Sequence, residues 1–264
     1  VGVNRYQDPS TPDLPECKPD VVDTRTALVG SVMWGSSGSN ITVLTDTQPT
    51  KSAVRNAILA QAGTYGPHDL FLLVISSHGT NYEGQGYLIP YDGGSDPDTF
   101  ISGAELKTWL TSLRAPGQNT NICVFIDACY SGLLIGKGLE GDNPLSCRAK
   151  FVMKPGSKPL ASVVPPTKQI EQMTDAIAIT ACLGSEISLT APSLGHSLCM
   201  HYLITGLGNG SVIGPADPGH TGHITMTQLY NYAQPKVVDY ASQIPHEQHP
   251  QIYKGTDAAD LIKM

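Results

Sequence analysis

Apolar residues in this chain gather in short continuous runs, and amphipathic stretches separate one run from the next. A strand buried on both faces reads as a continuous apolar run, so this rhythm predicts an α/β fold with a mainly parallel, doubly wound sheet flanked by helices. Leu70 to Ile75, Ile122 to Ile126 and Ala176 to Thr180 are the clearest strands, with Val1 to Val3 and Ile41 to Leu44 as shorter ones. Val21, Val22, Ala27 and Leu28 place a helix that opens near Asp20. Thr50 caps a second helix, which carries Ala53, Val54, Ala57 and Ile58 on one face and ends at Gly63. Ser102 and Glu105 form a capping box ahead of Leu106, Trp109, Leu110 and Leu113, and Thr225 with Gln228 repeats it before Leu229, Tyr232 and Ala233. Pro235 is expected to kink or end that last helix. The stretch from Ser197 to Leu207 reads as a helix that is mostly buried.

The 264 residues suit one domain, with 1–132 and 175–264 as structured parts around a loop at 133–174. Gly (27) and Pro (20) concentrate at 84–98, 133–166 and 205–222, which therefore read as long loops. A formal net charge of −7 argues against a nucleic-acid partner and against a basic membrane patch. No apolar run approaches the roughly 20 residues of a membrane span. The six cysteines never form a Cys-x-x-Cys pair, so neither a disulfide scaffold nor a structural zinc site is expected. Thiols that stay reduced fit a cytoplasmic protein. The opening at Val1 reads as a strand already under way, which suggests that a start Met and a leader or pro-segment have been removed.

Two strand ends carry reactive side chains. The first runs into Ser76-Ser77-His78-Gly79 and the second into Asp127-Ala128-Cys129-Tyr130-Ser131-Gly132. Ligands in an open α/β sheet bind at the carboxyl ends of strands, so if the two strands are neighbours His78 and Cys129 leave the same edge. An imidazole beside a thiol raises the thiolate fraction, as a nucleophile requires. Taken by themselves, these residues also fit a small buried cysteine and a hydrogen-bonded loop histidine.

The paired motifs resemble the catalytic signature of the metacaspases and their bacterial caspase-like relatives, cysteine peptidases of clan CD. The opening Val1-Gly2-Val3-Asn4-Arg5-Tyr6 resembles that domain's first strand, and Cys17-Lys18-Pro19-Asp20 its Cys-x-x-Asp element. Leu88-Ile89-Pro90-Tyr91-Asp92, Ile179-Thr180-Ala181-Cys182 and Gly195-His196-Ser197 resemble further segments, so the likeness spans nearly the whole chain and is weakest at 133–174. It implies a caspase-like fold and an endopeptidase in which Cys129 attacks a peptide carbonyl, His78 manages protons, and the backbone N–H groups of Gly79 and Cys129 hold the oxyanion. Asp20, Ser76 and Asp127 would bind the substrate. Two carboxylates there favour a basic side chain, Arg more than Lys because a guanidinium binds bidentately. Partners would then be peptides or proteins with basic residues, and the likeness favours a monomer.

The stretch 133–174 holds six of the sixteen basic residues, Lys137, Arg148, Lys150, Lys154, Lys158 and Lys168, against Glu140, Asp142 and Glu171. It lies where the family divides large and small subunits, so Arg148, Lys150, Lys154 and Lys158 are candidates for self-cleavage. Many metacaspases need calcium. Here Leu133-Leu134-Ile135-Gly136 follows the nucleophile with no carboxylate, Glu83 is the only acid between His78 and Pro90, and Asp92, Asp96 and Asp98 read as turn formers. No metal or other cofactor is therefore expected. His220 with His223, and His246 with His249, read as solvated loop histidines, and Cys17 and Cys182 as core residues. Tyr82 and Tyr91 are candidates for the edge of a groove. The same fold also serves as a catalytically silent interaction module, which is the alternative reading; a legumain-type peptidase is a more distant one, disfavoured by the opening segment and Asp127.

Overall fold

The computed structural model describes the chain apart from residues 32, 35–37, 63–68, 115–120, 130–147, 151–166 and 245. Its helices are α1 (Cys17–Leu28), α2 (Lys51–Leu59), α3 (Gly103–Thr111), α4 (Thr167–Ile170), α5 (Leu198–Leu207) and α6 (Met226–Ser242). The strands are β1 (Leu70–Ser76), β2 (Gly79–Tyr82), β3 (Gln85–Leu88), β4 (Ile101–Ser102), β5 (Asn121–Asp127), β6 (Arg148–Ala149) and β7 (Ala176–Thr180). After them come β8 (Leu189–Ala191), β9 (His196–Ser197), β10 (Gly208–Asn209), β11 (Val212–Ile213), β12 (Ile224–Thr225), β13 (Gln251–Lys254) and β14 (Leu261–Lys263).

The central sheet has the order β1-β5-β7-β13. Its first three strands are parallel, and β13 closes the edge antiparallel to β7. Successive residues of β5 enter opposite cores, as a pleated strand requires. Cys123 and Phe125 join a cluster with α1, α5 and α6, while Ile122, Val124 and Ile126 join one with α2, α3 and α4. That two-sided burial is the physical cause of the continuous apolar runs. Smaller sheets, β2-β3-β4 and β6-β8-β9, flank the carboxyl end of β1 and the start of α5.

Both capping boxes form, at Ser102 with Glu105 and at Thr225 with Gln228, and the Thr50 side chain accepts the N–H of Ala53. Each such cap satisfies helix-end donors that would otherwise lack partners and contributes about 1 kcal/mol. Several expectations change. Residues 41–44 form no strand, and Val1 to Val3 make only a single parallel bridge, Gly2 to Ser76. The first turn of α1 crosses there so closely that a Cβ on Gly2 would stand 2.2 Å from the Cys17 carbonyl oxygen. α1 opens at Cys17, which puts Asp20 inside its first turn and not at its cap. α2 ends at Leu59, and the expected end at Gly63 lies outside the described residues. α6 runs through Pro235 to Ser242. Pro235 is exposed, and the buried stripe Leu229, Ala233, Val237 and Ala241 holds the helix together on its other side. Inside the predicted loop 133–174, the short β6 and α4 are ordered elements. No helix among the described residues is long and apolar enough to cross a membrane.

Candidate active site

β1 and β5 are paired in register, with Ser76 opposite Asp127, so the segments that follow leave the sheet side by side. Gly79 then packs directly on Cys129: a Cβ at Gly79 would stand 1.5 Å from the Cys129 carbonyl oxygen. Only glycine allows that approach, and it brings the His78-Gly79 backbone against the Cys129 backbone. The His78 backbone N–H donates to the Tyr6 hydroxyl at 2.7 Å, and its ring leans on the Tyr6 ring at 5.1 Å between centroids. Nε2 donates to the Pro12 carbonyl at 2.9 Å. In the neutral ring that bond leaves Nδ1 as the basic nitrogen.

Cys129 is fully buried. Its sulfur accepts the Ser188 N–H at 2.8 Å and lies 3.1 Å from the Ser188 carbonyl. Burial pushes this thiol far above the usual range, against the pull of the Lys150 ammonium and of backbone N–H groups from Ser188 and Lys150.

Beside it lies a cation pocket that is already filled. Arg148–Ala149 pairs antiparallel with β8, Arg148 opposite Thr190 and Ala149 opposite Leu189. The next residue, Lys150, continues that pairing with its N–H on the Ser188 carbonyl at 3.0 Å. Its own carbonyl accepts the Gly79 N–H at 2.8 Å. The side chain is wholly buried and its Nζ donates to Ser76 Oγ at 2.7 Å, Ser197 Oγ at 2.9 Å and Asp127 Oδ1 at 3.0 Å. Burial is the largest single influence and works against the ammonium, but Asp127, Cys17 and Asp20 together outweigh it, and the Lys150 pKa lies above its ordinary value. For Asp127, burial pushes upward against Lys150 and the Ser188 hydroxyl, which donates to Oδ1 at 2.6 Å.

Asp20 does not touch the ammonium. Its Oδ2 accepts the Ser76 hydroxyl at 2.6 Å and the Ser197 hydroxyl at 2.5 Å, while Oδ1 accepts the Ser197 N–H at 2.9 Å and lies 3.2 Å from His196 Nδ1. Because the two hydroxyls give their protons to Asp20, their lone pairs face Lys150. Asp20 therefore orients the acceptors and lends its charge from one layer back.

The structure thus gathers Asp20, Ser76, Asp127, Gly79, Cys129 and Lys150 in one place. Sequence reasoning missed the parts of Ser188 and Ser197. A serine just before a helix usually caps it, but Ser197 makes no side-chain cap on α5 because its hydroxyl is committed to Asp20 and Lys150. Among the self-cleavage candidates, Lys154, Lys158 and the side chain of Arg148 lie outside the described residues. Cys17 and Cys182 are buried core residues, and burial raises the Cys17 thiol to about 12. Asp96 accepts the Asp98 N–H at 3.0 Å, a local bond of the turn kind expected, whereas Asp92 accepts the N–H of Lys51, 41 positions away at the start of α2, at 2.8 Å. Among the described residues no three His, Cys, Asp or Glu side chains are grouped to hold a metal. Two of the histidines expected in solvent are instead engaged: His246 Nε2 lies 2.8 Å from the Ile187 carbonyl and His249 Nδ1 2.6 Å from Glu186 Oε1, which ties the approach to β13 onto the segment before β8. Tyr91 packs against the cluster of Val3, Tyr6, Ile89 and Phe100.

Comparison with known proteins agrees with this architecture. The crystal structure of protein GSU0716 from Geobacter sulfurreducens superposes with a TM-score of 0.60, covering 97% of this chain and 91% of that one at 16% identity, a likeness of fold. No curated protein matches the chain. The family model of the C14 peptidases, described as the caspase domain, matches residues 1–261. The chain belongs to the caspase-domain family of C14 peptidases.

Proposed function

We propose that this protein is a cysteine endopeptidase that cuts after basic residues with Cys129 and His78, and that the segment ending at Lys150 is a substrate it carries within itself. The observation that carries the reading is the seating of Lys150. Its ammonium fills the acidic pocket, its backbone continues a β pairing with β8, and its carbonyl lies on the N–H of Gly79. An extended peptide added to a sheet edge in this way is a common mode of substrate binding.

The proposed chemistry is acyl transfer through the cysteine. His78 takes the Cys129 proton and the sulfur bonds to the Lys150 carbonyl carbon. The resulting oxyanion sits where Gly79 already donates and where the Cys129 N–H is the second donor, each such donor being worth roughly 3 kcal/mol. The C–N bond to Phe151 breaks as His78 returns the proton to the leaving amine. Water, deprotonated by His78, then cleaves the thioester, leaving a Lys150 carboxylate and a free thiol. The same steps serve a substrate from outside once residues 148–150 have left the groove. No metal takes part, and a large saturable rise in activity with calcium would overturn that statement.

Burial of Cys129 equally suits a catalytically silent fold, so the two readings need separating. Intact mass and N-terminal sequencing after incubation should find a new terminus at Phe151 in the wild type and none in Cys129→Ala. A Lys150→Ala chain should hydrolyse peptidyl-lysine substrates, and Cys129→Ala in that background should abolish the activity. Absence of both reactions would establish the silent scaffold, and hydrolysis that survives Cys129→Ala would remove this cysteine from the mechanism.

A further inference from the structure

We propose that the pocket selects lysine over arginine, and that Ser76 and Ser197 are the residues that make the choice. This deepens the endopeptidase reading and rests on it. An ammonium carries three N–H donors, and Lys150 Nζ meets three acceptors, Ser76 Oγ, Ser197 Oγ and Asp127 Oδ1, each from a different strand end. The ammonium is therefore fully satisfied in a place with no exposure to water.

A guanidinium is longer, planar and carries five N–H donors in a fixed fork. Its advantage over lysine is the bidentate bond to a carboxylate, and this pocket offers that bond poorly. Asp20 has both oxygens occupied, Oδ2 by the two hydroxyls and Oδ1 by Ser197 N–H with His196 alongside, so it has no edge to present. Asp127 Oδ1 is shared between Lys150 and Ser188. Its Oδ2 has no hydrogen-bond partner among the described residues and is the one acceptor an arginine would add. Five donors would then face four oxygens, two of them single-atom hydroxyls placed 3.4 Å apart. The acceptors converge on one nitrogen as three separate contacts, so a planar fork of five donors spread over three nitrogens matches them poorly, and the extra length would have to displace Ser76 or Ser197. Leaving one buried donor unsatisfied corresponds to a discrimination of about tenfold or more. Two carboxylates in one pocket point to arginine only when both can face the cation, and here one of them is screened by hydroxyls.

The test uses the full chain carrying Lys150→Ala, so that the pocket is open, with a pair of fluorogenic peptides that differ only in Lys or Arg before the scissile bond. We expect kcat/KM to favour Lys by at least about tenfold. Ser197→Gly in the same background, which opens space and removes an acceptor, should shrink the ratio several-fold. Equal rates, faster cleavage after Arg, or a ratio untouched by Ser197→Gly would overturn the proposal while leaving the endopeptidase reading intact. Hydrolysis of neither peptide would sink the endopeptidase reading and leaves the pocket to a second measurement. In the otherwise wild-type chain, Lys150→Arg should speed alkylation of Cys129 by iodoacetamide at least tenfold, because the longer side chain unseats residues 148–150. An unchanged alkylation rate would overturn the lysine selectivity by itself.

Discussion

Lys150 and Lys263 are both shut away from solvent, yet their surroundings drive them in opposite directions. Lys150 meets one carboxylate and two hydroxyls that a second carboxylate orients, and its pKa lies above the ordinary value. Among the described residues Lys263 donates to the carbonyls of Leu207 at 2.7 Å and Val212 at 2.9 Å and to no carboxylate, and burial lowers it to about 8. The difference shows what makes a cation site. Carbonyl dipoles suffice to tie β14 to the β10–β11 hairpin, but without an opposite charge burial lowers the pKa of the ammonium, whereas beside carboxylates it does not. The Lys150 pocket stabilises an ammonium, as the proposed recognition of basic residues requires, whereas Lys263 is an internal strut.

The largest expected consequence concerns Asp127. Asp127→Asn leaves the Lys150 ammonium without its countercharge, and urea unfolding should register a loss of roughly 3–5 kcal/mol, or the free energy of releasing residues 148–150 if that is smaller. Lys150→Met added to it should recover much of the loss. Equal stability of Asp127→Asn and wild type would mean that the two lysines do not differ as described. Next in size is the accessibility of the nucleophile. Lys150→Ala should raise the rate at which iodoacetamide alkylates Cys129 about tenfold or more, while Lys263→Ala leaves it unchanged.

The smallest effect is a pH dependence. Lys263 has a folded pKa of about 8 against an ordinary 10.5, so between these values the unfolded chain binds more protons than the folded one. Stability contributed by this group therefore rises as pH climbs from about 8 towards 10.5, and below about 8 its desolvation cost is fully present. Lys263→Met should flatten the stability profile in that window. A slope that persists in the variant would assign the titration to another group.

How much of this was legible beforehand depended on the range over which each signal acts. Continuous apolar runs located β1, β5 and β7 because burial on both faces is written along a strand, and the capping boxes at Ser102 and Thr225 are local hydrogen-bond patterns. β13 escaped notice because Gln251–Lys254 lies at a sheet edge with two half-buried residues between two exposed ones and no apolar run. The pocket was visible only as residue types. That Asp20 acts through Ser76 and Ser197, 56 and 177 positions away, is a fact of chain crossing that no local pattern encodes. Nor does spacing reveal which basic residue of a loop lies on β8; that depends on the register of Arg148 with Thr190.

The order of the chain has one more consequence for Lys150. It follows Cys129 by 21 positions, on the same side of any break between Lys150 and Phe151. A cut there makes a new carboxyl terminus but does not lengthen the tether, which holds the lysine near the pocket at a local concentration on the order of millimolar. The nicked molecule would thus begin life inhibited by its own product. On the proposed reading, a substrate arriving in solution would compete with a ligand whose concentration dilution cannot lower, so nicking and activation would be separate events with separate rates.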